Sequence, residues 1–327
     1  MTRDQAALER AIATLAPFGE VERRRTLVIV NRHASTVSER LRNLVIHALA
    51  ARYEVAAVET QARGHATELA RGAVRDRFEL VVALGGDGTV NEAANGLVGS
   101  EVPLTCLPGG SANVYCKLLG IPGEIVDATE HVLRMADRFA PRRVDLGIVE
   151  GRHYTFSAGV GLDADVVRRV DARPRLKARC GPYFFVAVAL GTLLRRYAVR
   201  APRMFVAVGG ETLSGVTTIV QNAEHYTFFH DRAIDLAVGA ALDGGTLSGV
   251  VLRRATLLGV PSLLVRGMLG NGRVPGHRQV AGFTAATSLT VSSATGRPLP
   301  LQVDGEYIGR VTEASFSIRP RALTVVA

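Results

Sequence analysis

The sequence predicts an α/β domain with a mainly parallel sheet, followed by a second, mostly antiparallel β domain. Three observations predict it. Between residues 26 and 119, short apolar runs rich in β-branched residues alternate with helical patterns. One run, Leu80 to Leu84, passes at once into Gly85-Gly86-Asp87-Gly88-Thr89 and then into Val90, Ala93, Ala94 and Leu97 at helical spacing. Beyond residue 140 helical pattern thins out, and strand-like segments separated by glycine turns take over.

Taken in order, Leu8, Ile12 and Leu15 share one face of a helix over residues 4 to 16. Thr26 to Val30 is the first buried strand, ended by Asn31-Arg32-His33-Ala34-Ser35. Val37, Leu41, Leu44, Val45, Ala48 and Leu49 then mark an amphipathic helix. Val55 to Val58 is the second strand and leads to Thr60; Gly64-His65-Ala66-Thr67 opens a helix with Leu69 and Val74 inward. The glycine turn ends the third strand, and its helix can stop at Gly96 or Gly99. Val102 to Leu107 is the fourth strand, followed by Pro108-Gly109-Gly110-Ser111-Ala112-Asn113 and a helix to Leu119, closed by Gly120 and Pro122. Ligands of such sheets sit beyond the carboxyl ends of the strands. The loops 31 to 35, 60 to 67, 85 to 91 and 108 to 113 are therefore expected to converge on one cleft. In the second domain, residues 144–149, 153–157, 203–208, 216–220 and 246–252 read as strands, with helical stretches near 162 to 170, 182 to 196 and 256 to 269.

Composition narrows the class. The 327 residues are 47% hydrophobic and carry a net charge of +9; two lysines, Lys117 and Lys177, stand against 37 arginines. A basic surface suits nucleotide phosphates, an anionic membrane or nucleic acid. No helix-turn-helix, RNA-binding aromatic motif or zinc finger is present, so no nucleic-acid partner is expected. The longest apolar stretch, Pro182 to Leu194, is 13 residues long and interrupted by Gly191. A bilayer needs roughly 20. Cys106, Cys116 and Cys180 show neither metal-ligand spacing nor a disulfide framework, which fits a reducing cytoplasm.

The strand, glycine turn and helix at residues 79 to 98 aim backbone N–H groups and a helix N-terminus at an anion. Glycine suits the turn because it reaches positive φ and has no side chain to block a phosphate. Alone, Gly-Gly-x-Gly reads equally well as a tight βα turn. The longer string GGDGTVNEAANGL resembles the nucleotide-binding motif of the diacylglycerol kinase and sphingosine kinase family of lipid kinases. PGGSANVYCKLLGIP at 108 to 122 is similar to that family's second nucleotide loop, FSAGVGLDADVV at 156 to 167 to its entry into the second domain, and LQVDGEYIG at 301 to 309 to its late Asp-Gly-Glu motif.

The resemblance implies a nucleotide domain related to those of NAD kinases and phosphofructokinases, joined to a lipid-holding β-sandwich. It divides the chain into 1–144, with 315–327 returning to the first domain, and 145–314. ATP with Mg²⁺ is the implied nucleotide, contacted by Gly85, Gly86, Asp87, Gly88, Thr89, Val90 and Asn91, by Ser111, by Thr60, and by the first loop Asn31, Arg32, His33, Ala34 and Ser35. Asp304, with Glu306 nearby, is the implied acceptor of the lipid hydroxyl's proton. Taken alone, Asp304-Gly305 reads as a hairpin turn. The implied substrate is a membrane lipid alcohol, diacylglycerol by default. The implied place is the cytoplasm, peripheral at an anionic inner membrane face, with a homodimer left open. NAD kinase-like chemistry and a lipid-binding protein without catalysis are the alternatives. Three departures stand out: Asn-Arg-His-Ala-Ser replaces the family's Asn-Pro-x-x-Gly, Val114 replaces an aspartate, and Asp243-Gly244-Gly245-Thr246-Leu247-Ser248 matches the Asp-Gly-Leu-Leu-Asp loop loosely, so no metal ligand is assigned. The run Arg168, Arg169, Arg173, Arg175, Lys177 and Arg179 reads as a solvated face, or else as a membrane contact.

Overall fold

The computed structural model describes residues 23–32, 37–197, 203–229, 232–256 and 276–327, with isolated positions between 257 and 275. The helix expected over residues 4 to 16 and most of that expected over 256 to 269 lie outside the described residues. The chain divides into two units, one running to Val144 and taking back Ala322–Ala327, the other Asp145–Arg321.

In the first unit the buried runs become β1 (Arg25–Val30), β2 (Glu54–Glu59), β3 (Leu80–Gly85) and β4 (Leu104–Pro108), parallel and ordered β2-β1-β3-β4. β3 and β4 are buried at every residue, whereas the edge strand β2 is half exposed. That difference is why the inner strands read as continuous apolar runs. The end of the chain completes this sheet: Val325 pairs with Leu104, and Gly99 N donates to Ala322 O at 2.8 Å. The return begins at Ala322 rather than 315, because the preceding residues are still paired inside the second unit.

The strands are linked by α1 (Glu39–Leu49), α2 (His65–Arg75), α3 (Asp87–Leu97), the short α4 (Val114–Leu118) and α5 (Ile125–Met135). Ser38 caps α1, its hydroxyl accepting from Leu41 N. The inward face of α2 is Ala66, Ala70 and Ala73, while Leu69 is half-buried and Val74 is 38% exposed, the reverse of the expectation. Close approach of α3 explains it. A Cβ at Gly96 would stand 2.5 Å from Thr67 O and 2.6 Å from Ala70 Cβ, so only small residues fit the seam. Gly96 therefore lies inside α3 as a packing residue, and Gly99 (φ 79°) follows its end.

Helix α5 was not foreseen. Burial pushes the His131 imidazole on it below its ordinary range, with Arg134 adding to the effect, and its Nε2 has no hydrogen-bond partner among the described residues. His153 is shifted the same way, by burial and then by Arg319. Both groups bind a proton less readily folded than unfolded, so they cost stability as the pH falls below about 6.5. The melting temperature is expected to drop between pH 7 and the lowered folded values, and to drop less in a His131→Gln, His153→Gln double variant. Parallel curves from thermal scans would refute the assignment.

The second unit holds β5 (Arg142–Val149), β6 (Arg152–Tyr154), β7 (Ser157–Gly161), α6 (Leu162–Asp171), α7 (Pro174–Thr192), β8 (Met204–Val208), β9 (Glu211–Gly215), β10 (Thr217–Gln221), β11 (Thr227–Phe229), β12 (Arg232–Ile234), β13 (Leu247–Leu252), β14 (Val280–Ala286), β15 (Ser288–Ser293), β16 (Leu299–Val303), β17 (Glu306–Val311) and the start of β18 (Glu313–Val325). One antiparallel sheet runs β14-β13-β10-β7-β16-β17, and β18, β15, β8 and β9 form a second antiparallel set. A single core takes Val160 and Val220 from the first set and Val206, Val291 and Phe316 from the other, which makes the unit a β-sandwich. The run expected as one strand over 153–157 is broken at Thr155 and Phe156, between β6 and β7.

Candidate functional site

The carboxyl ends of the parallel strands are levelled by their register. Thr60 N donates to Val30 O at 2.8 Å, Asn31 N to Leu84 O at 2.9 Å and Gly109 N to Gly85 O at 2.9 Å. Thr60, Asn31, Gly86 and Gly109 thus follow one another along a single edge. Asn31 Nδ2 donates to Thr89 Oγ1 at 2.9 Å, tying the first loop to the glycine turn. His33, Ala34 and Ser35 lie outside the described residues.

Glycine at this edge is needed for space rather than for unusual dihedrals. Gly86 has φ −89° and ψ −178°, and neither Gly85 nor Gly88 has positive φ. A Cβ on Gly85 would meet Thr89 Oγ1 at 2.6 Å, and one on Gly110 would meet Gly86 Cα at 2.7 Å, so the two glycine loops lie backbone against backbone. Asn113 (φ 49°) staples the second loop, accepting from Gly110 N and donating to Gly110 O, both at 2.8 Å.

Of the helices that follow these strands, α2 and α4 have their beginnings taken by carboxylates. Glu92 accepts from Gly64 N at 2.7 Å and Ala66 N at 3.2 Å, covering the start of α2 from α3. Asp87 Oδ1 accepts from Tyr115 N at 3.0 Å in the first turn of α4. The start of α3 itself, at Gly86, Asp87 and Gly88, is half-exposed, and Thr89 N and Val90 N close its first turn on Gly86 O at 3.0 and 3.2 Å. Ser111 and Arg32 are exposed and Thr60 half-exposed beside it. Val90 and Asn91 are not presented there. Each is 1% exposed on the inward face of α3, where Asn95 Nδ2 donates to Asn91 O at 2.9 Å. Of the expected contacts, then, Gly85, Thr89, Val90 and Asn91 support the loop from within. Cys106 and Cys116 beneath it are buried and unlinked, and burial pushes the Cys106 thiol well above its ordinary range.

In the second unit Asp304 (φ 47°) and Gly305 (φ 76°) form the two-residue turn joining β16 to β17, with Val303 opposite Glu306. Both left-handed dihedrals match a type I′ hairpin. Asp304 is 3% exposed, and its carboxylate accepts four hydrogen bonds: from Thr155 N (2.7 Å) and Thr155 Oγ1 (2.8 Å) on Oδ2, and from Phe156 N (3.0 Å) and Ser157 N (3.1 Å) on Oδ1. Burial pushes its pKa up and the four donors pull it back. Glu306 is a third exposed, with Oε2 3.5 Å from Arg152 Nη2. Among the described residues no three His, Cys, Asp or Glu side chains gather as a metal-holding group.

Residues 25–147 match the sequence model of the diacylglycerol kinase catalytic domain, and residues 156–327 that of the YegS C-terminal NAD kinase β-sandwich-like domain. The chain belongs to the diacylglycerol kinase family of lipid kinases. Among curated relatives, the diacylglycerol kinase of Bacillus subtilis (strain 168) is 28% identical over 267 residues, spanning 79% of this chain and 80% of its own. That of Staphylococcus haemolyticus (strain JCSC1435) is 28% identical over 268 residues, spanning 79% and 74%. A crystal structure described as a putative diacylglycerol kinase from Bacillus anthracis str. Sterne matches with a TM-score of 0.74 over 94% of this chain and 98% of that one; at 21% identity it speaks for the fold.

Within this diacylglycerol kinase-family chain, several residues escaped the sequence reading. Glu92 and Asn113 stand inside the quoted motifs, but only the fold shows that they clasp neighbouring loops. Asp163, at the start of α6, accepts from Gln302 Nε2 at 2.7 Å and from the Tyr226 hydroxyl. Burial pushes the Asp163 carboxyl up against the pull of these two donors. Tyr226, together with Phe184, Phe185 and Val188 of α7, also borders a second apolar core around Val166, Ile219 and Val250. Nothing in the sequence signals that Tyr226 and Gln302 would meet Asp163 from segments so distant. The arginine run also reads differently in three dimensions. Asp165, 1% exposed, pairs with Arg168 at 2.8 Å and Arg169 at 3.8 Å, so two of its charges are already opposed. The side chains of Arg175, Lys177 and Arg179 lie outside the described ones.

Proposed function

We propose that the protein transfers the γ-phosphoryl group of ATP to the hydroxyl of a diacylglycerol-like membrane lipid. The observation that carries this is the arrangement of the helix starts: Glu92 and Asp87 cover those of α2 and α4, while that of α3 is half-exposed and glycine-lined, as suits a phosphate. Gly86 and Gly88 admit the phosphates, and Asn31, Thr60 and Ser111 contact the nucleotide. The lipid hydroxyl oxygen bonds to the γ-phosphorus as the bond to ADP breaks, and the proton passes to a carboxylate of the 304–306 hairpin. An alcohol is a poor nucleophile near neutral pH, and a placed base contributes typically about 10²–10⁴ in rate. Mg²⁺ would neutralise charge on the phosphates. Such an ion travels with phosphate oxygens and needs one or two carboxylates rather than a protein cage; the half-exposed Asp87 would be the carboxylate to hold it. The apolar border around Phe184, Phe185 and Tyr226 suits acyl chains, with Asp163 and Gln302 reading a polar head.

Incubation with labelled ATP, Mg²⁺, NAD and a total lipid extract is expected to put label into a lipid phosphate, phosphatidic acid foremost. Label in NADP with none in lipid would overturn the reading.

A kinase of bilayer lipids has to dock. No helix among the described residues is long and apolar enough to cross a membrane. Arg173, Arg175 and Arg179 belong to the same run of basic residues, and each basic residue near an anionic surface contributes about 1 kcal/mol. The three changed together to glutamine should weaken binding to anionic vesicles by about 100-fold at low salt and much less at high salt. Equal sedimentation of variant and parent would return these arginines to a solvated face.

A further inference from the structure

Beneath the two glycine loops lie two thiols that phosphoryl transfer leaves unused. Cys106 sits mid-strand in β4, opposite Ala83 of β3, and is fully buried. Cys116 sits on α4, which packs on β4, and is 1% exposed. Both are free, and their side chains share a hydrogen bond. The stretch between them, Leu107 to Tyr115, is the second glycine loop with its helix start. A bond between these two sulfurs would close a ring around that loop.

The ring would not leave the loop where it is. Sulfurs in hydrogen-bond contact have to close to about 2 Å to form a disulfide. β4 is fixed by β3 on one side and by Val325 on the other, so the five-residue α4 is the element that moves. It carries Tyr115 N, which donates to Asp87 Oδ1 at 3.0 Å, and it follows Asn113, the staple on Gly110. Gly110 in turn lies against Gly86, with no room for a Cβ between them. A shift of α4 toward β4 is thus passed, through contacts within the first unit alone, to both glycine loops and to Asp87.

Resting on the nucleotide-site reading above, we propose that Cys106 and Cys116 form a reversible disulfide that weakens nucleotide binding. The oxidant is a small peroxide, because both sulfurs are covered. Cys116 reacts first, since it travels with α4 when that helix loosens, whereas Cys106 is held in the sheet and burial keeps its thiol protonated. The Cys116 sulfur attacks one oxygen of hydrogen peroxide, the O–O bond breaks, and water leaves a sulfenic acid behind. The Cys106 sulfur then attacks that sulfur, the S–O bond breaks, and a second water leaves. Two thiols have given two electrons to one peroxide. Excess small thiol restores both by exchange. Nucleotide bound across the loops holds α4 in place and slows the first step.

The test compares the full-length parent with Cys106→Ala, Cys116→Ala and Cys180→Ala after treatment with hydrogen peroxide, by mass mapping of linked peptides, ATP titration calorimetry and thermal melting. A peptide pair linked through 106 and 116 is expected in the parent and in Cys180→Ala, and in neither other variant. Its formation should lower ATP affinity at least tenfold, and dithiothreitol should restore it. ATP present during oxidation should slow the linkage at least tenfold. Cys106→Ala and Cys116→Ala, if folded by melting, should keep their ATP affinity through the same treatment. Should either fail to fold, reversal by dithiothreitol in the parent decides alone. Peroxide that oxidises Cys180 or methionine while leaving 106 and 116 unlinked would overturn the proposal, and so would linkage with unchanged ATP affinity. A reduced parent that binds no ATP overturns the nucleotide reading, whereas missing linkage refutes the disulfide in either case.

Discussion

Replacing Gly86 with valine is expected to weaken ATP binding at least 100-fold in a protein that still folds. The backbone at Gly86 is ordinary, with φ −89°, so valine meets no dihedral penalty there. What it meets is crowding. The first added atom would stand 3.3 Å from Gly110 Cα, tight enough to push the two glycine loops apart by a few tenths of an ångström. The branches beyond it would occupy the space in front of the α3 N–H groups, where phosphate oxygens need to come within about 3 Å. Gly86→Ala should give an intermediate loss. Titration calorimetry reads the affinity, and thermal melting confirms the fold. Unchanged ATP affinity in folded Gly86→Val would mean that this loop holds no phosphate.

Gly96→Ala sets two effects of opposite sign against each other. Helix propensity favours alanine over glycine by about 1 kcal/mol in a helix interior. The added Cβ, however, would lie 2.5 Å from Thr67 O, 2.6 Å from Ala70 Cβ and 3.2 Å from Arg71 N. Two of these are backbone atoms, which cannot rotate away, and overpacking of this kind typically costs about 1–3 kcal/mol. The clash is expected to win for alanine and to grow for valine, lowering the melting temperature by several degrees in each. Because the same seam carries the Glu92 clasp on Gly64 and Ala66, nucleotide affinity should fall with stability in this series. An alanine variant more stable than the parent would show that α2 and α3 are not so closely packed.

The glycine turn and the inner parallel strands β1, β3 and β4 were legible because both faces of those strands are buried, which writes their positions as unbroken apolar runs. Small-residue packing was not legible in the same way. Leu69 and Val74 promised the inward face of α2 by hydrophobicity, but the seam with α3 admits only alanines. Gly96 looked like a helix end for the same reason, since glycine that makes room for a neighbour is written with the same letter as glycine that ends a helix. Val90 and Asn91 belong to the glycine motif by sequence, and helical rotation turns them inward. At the hairpin, the turn and the quoted motif are the same residues, and nothing local announces that residues 155–157 would supply four donors to Asp304.

The strand that closes the first unit arrives late. Thr324 and Ser100, joined by a hydrogen bond, are 224 positions apart. At roughly 5–20 residues per second of synthesis, β4 waits about 11–45 s for its partner. During that interval its N–H and C=O groups form an open edge of the kind that recruits other chains. The nucleotide unit is thus expected to reach its native sheet after translation has passed the whole sandwich. Nascent chains stopped before Ala322 should engage chaperones and aggregate more readily than the finished protein. Such long-range closure also places this fold among slow folders, whatever its final stability.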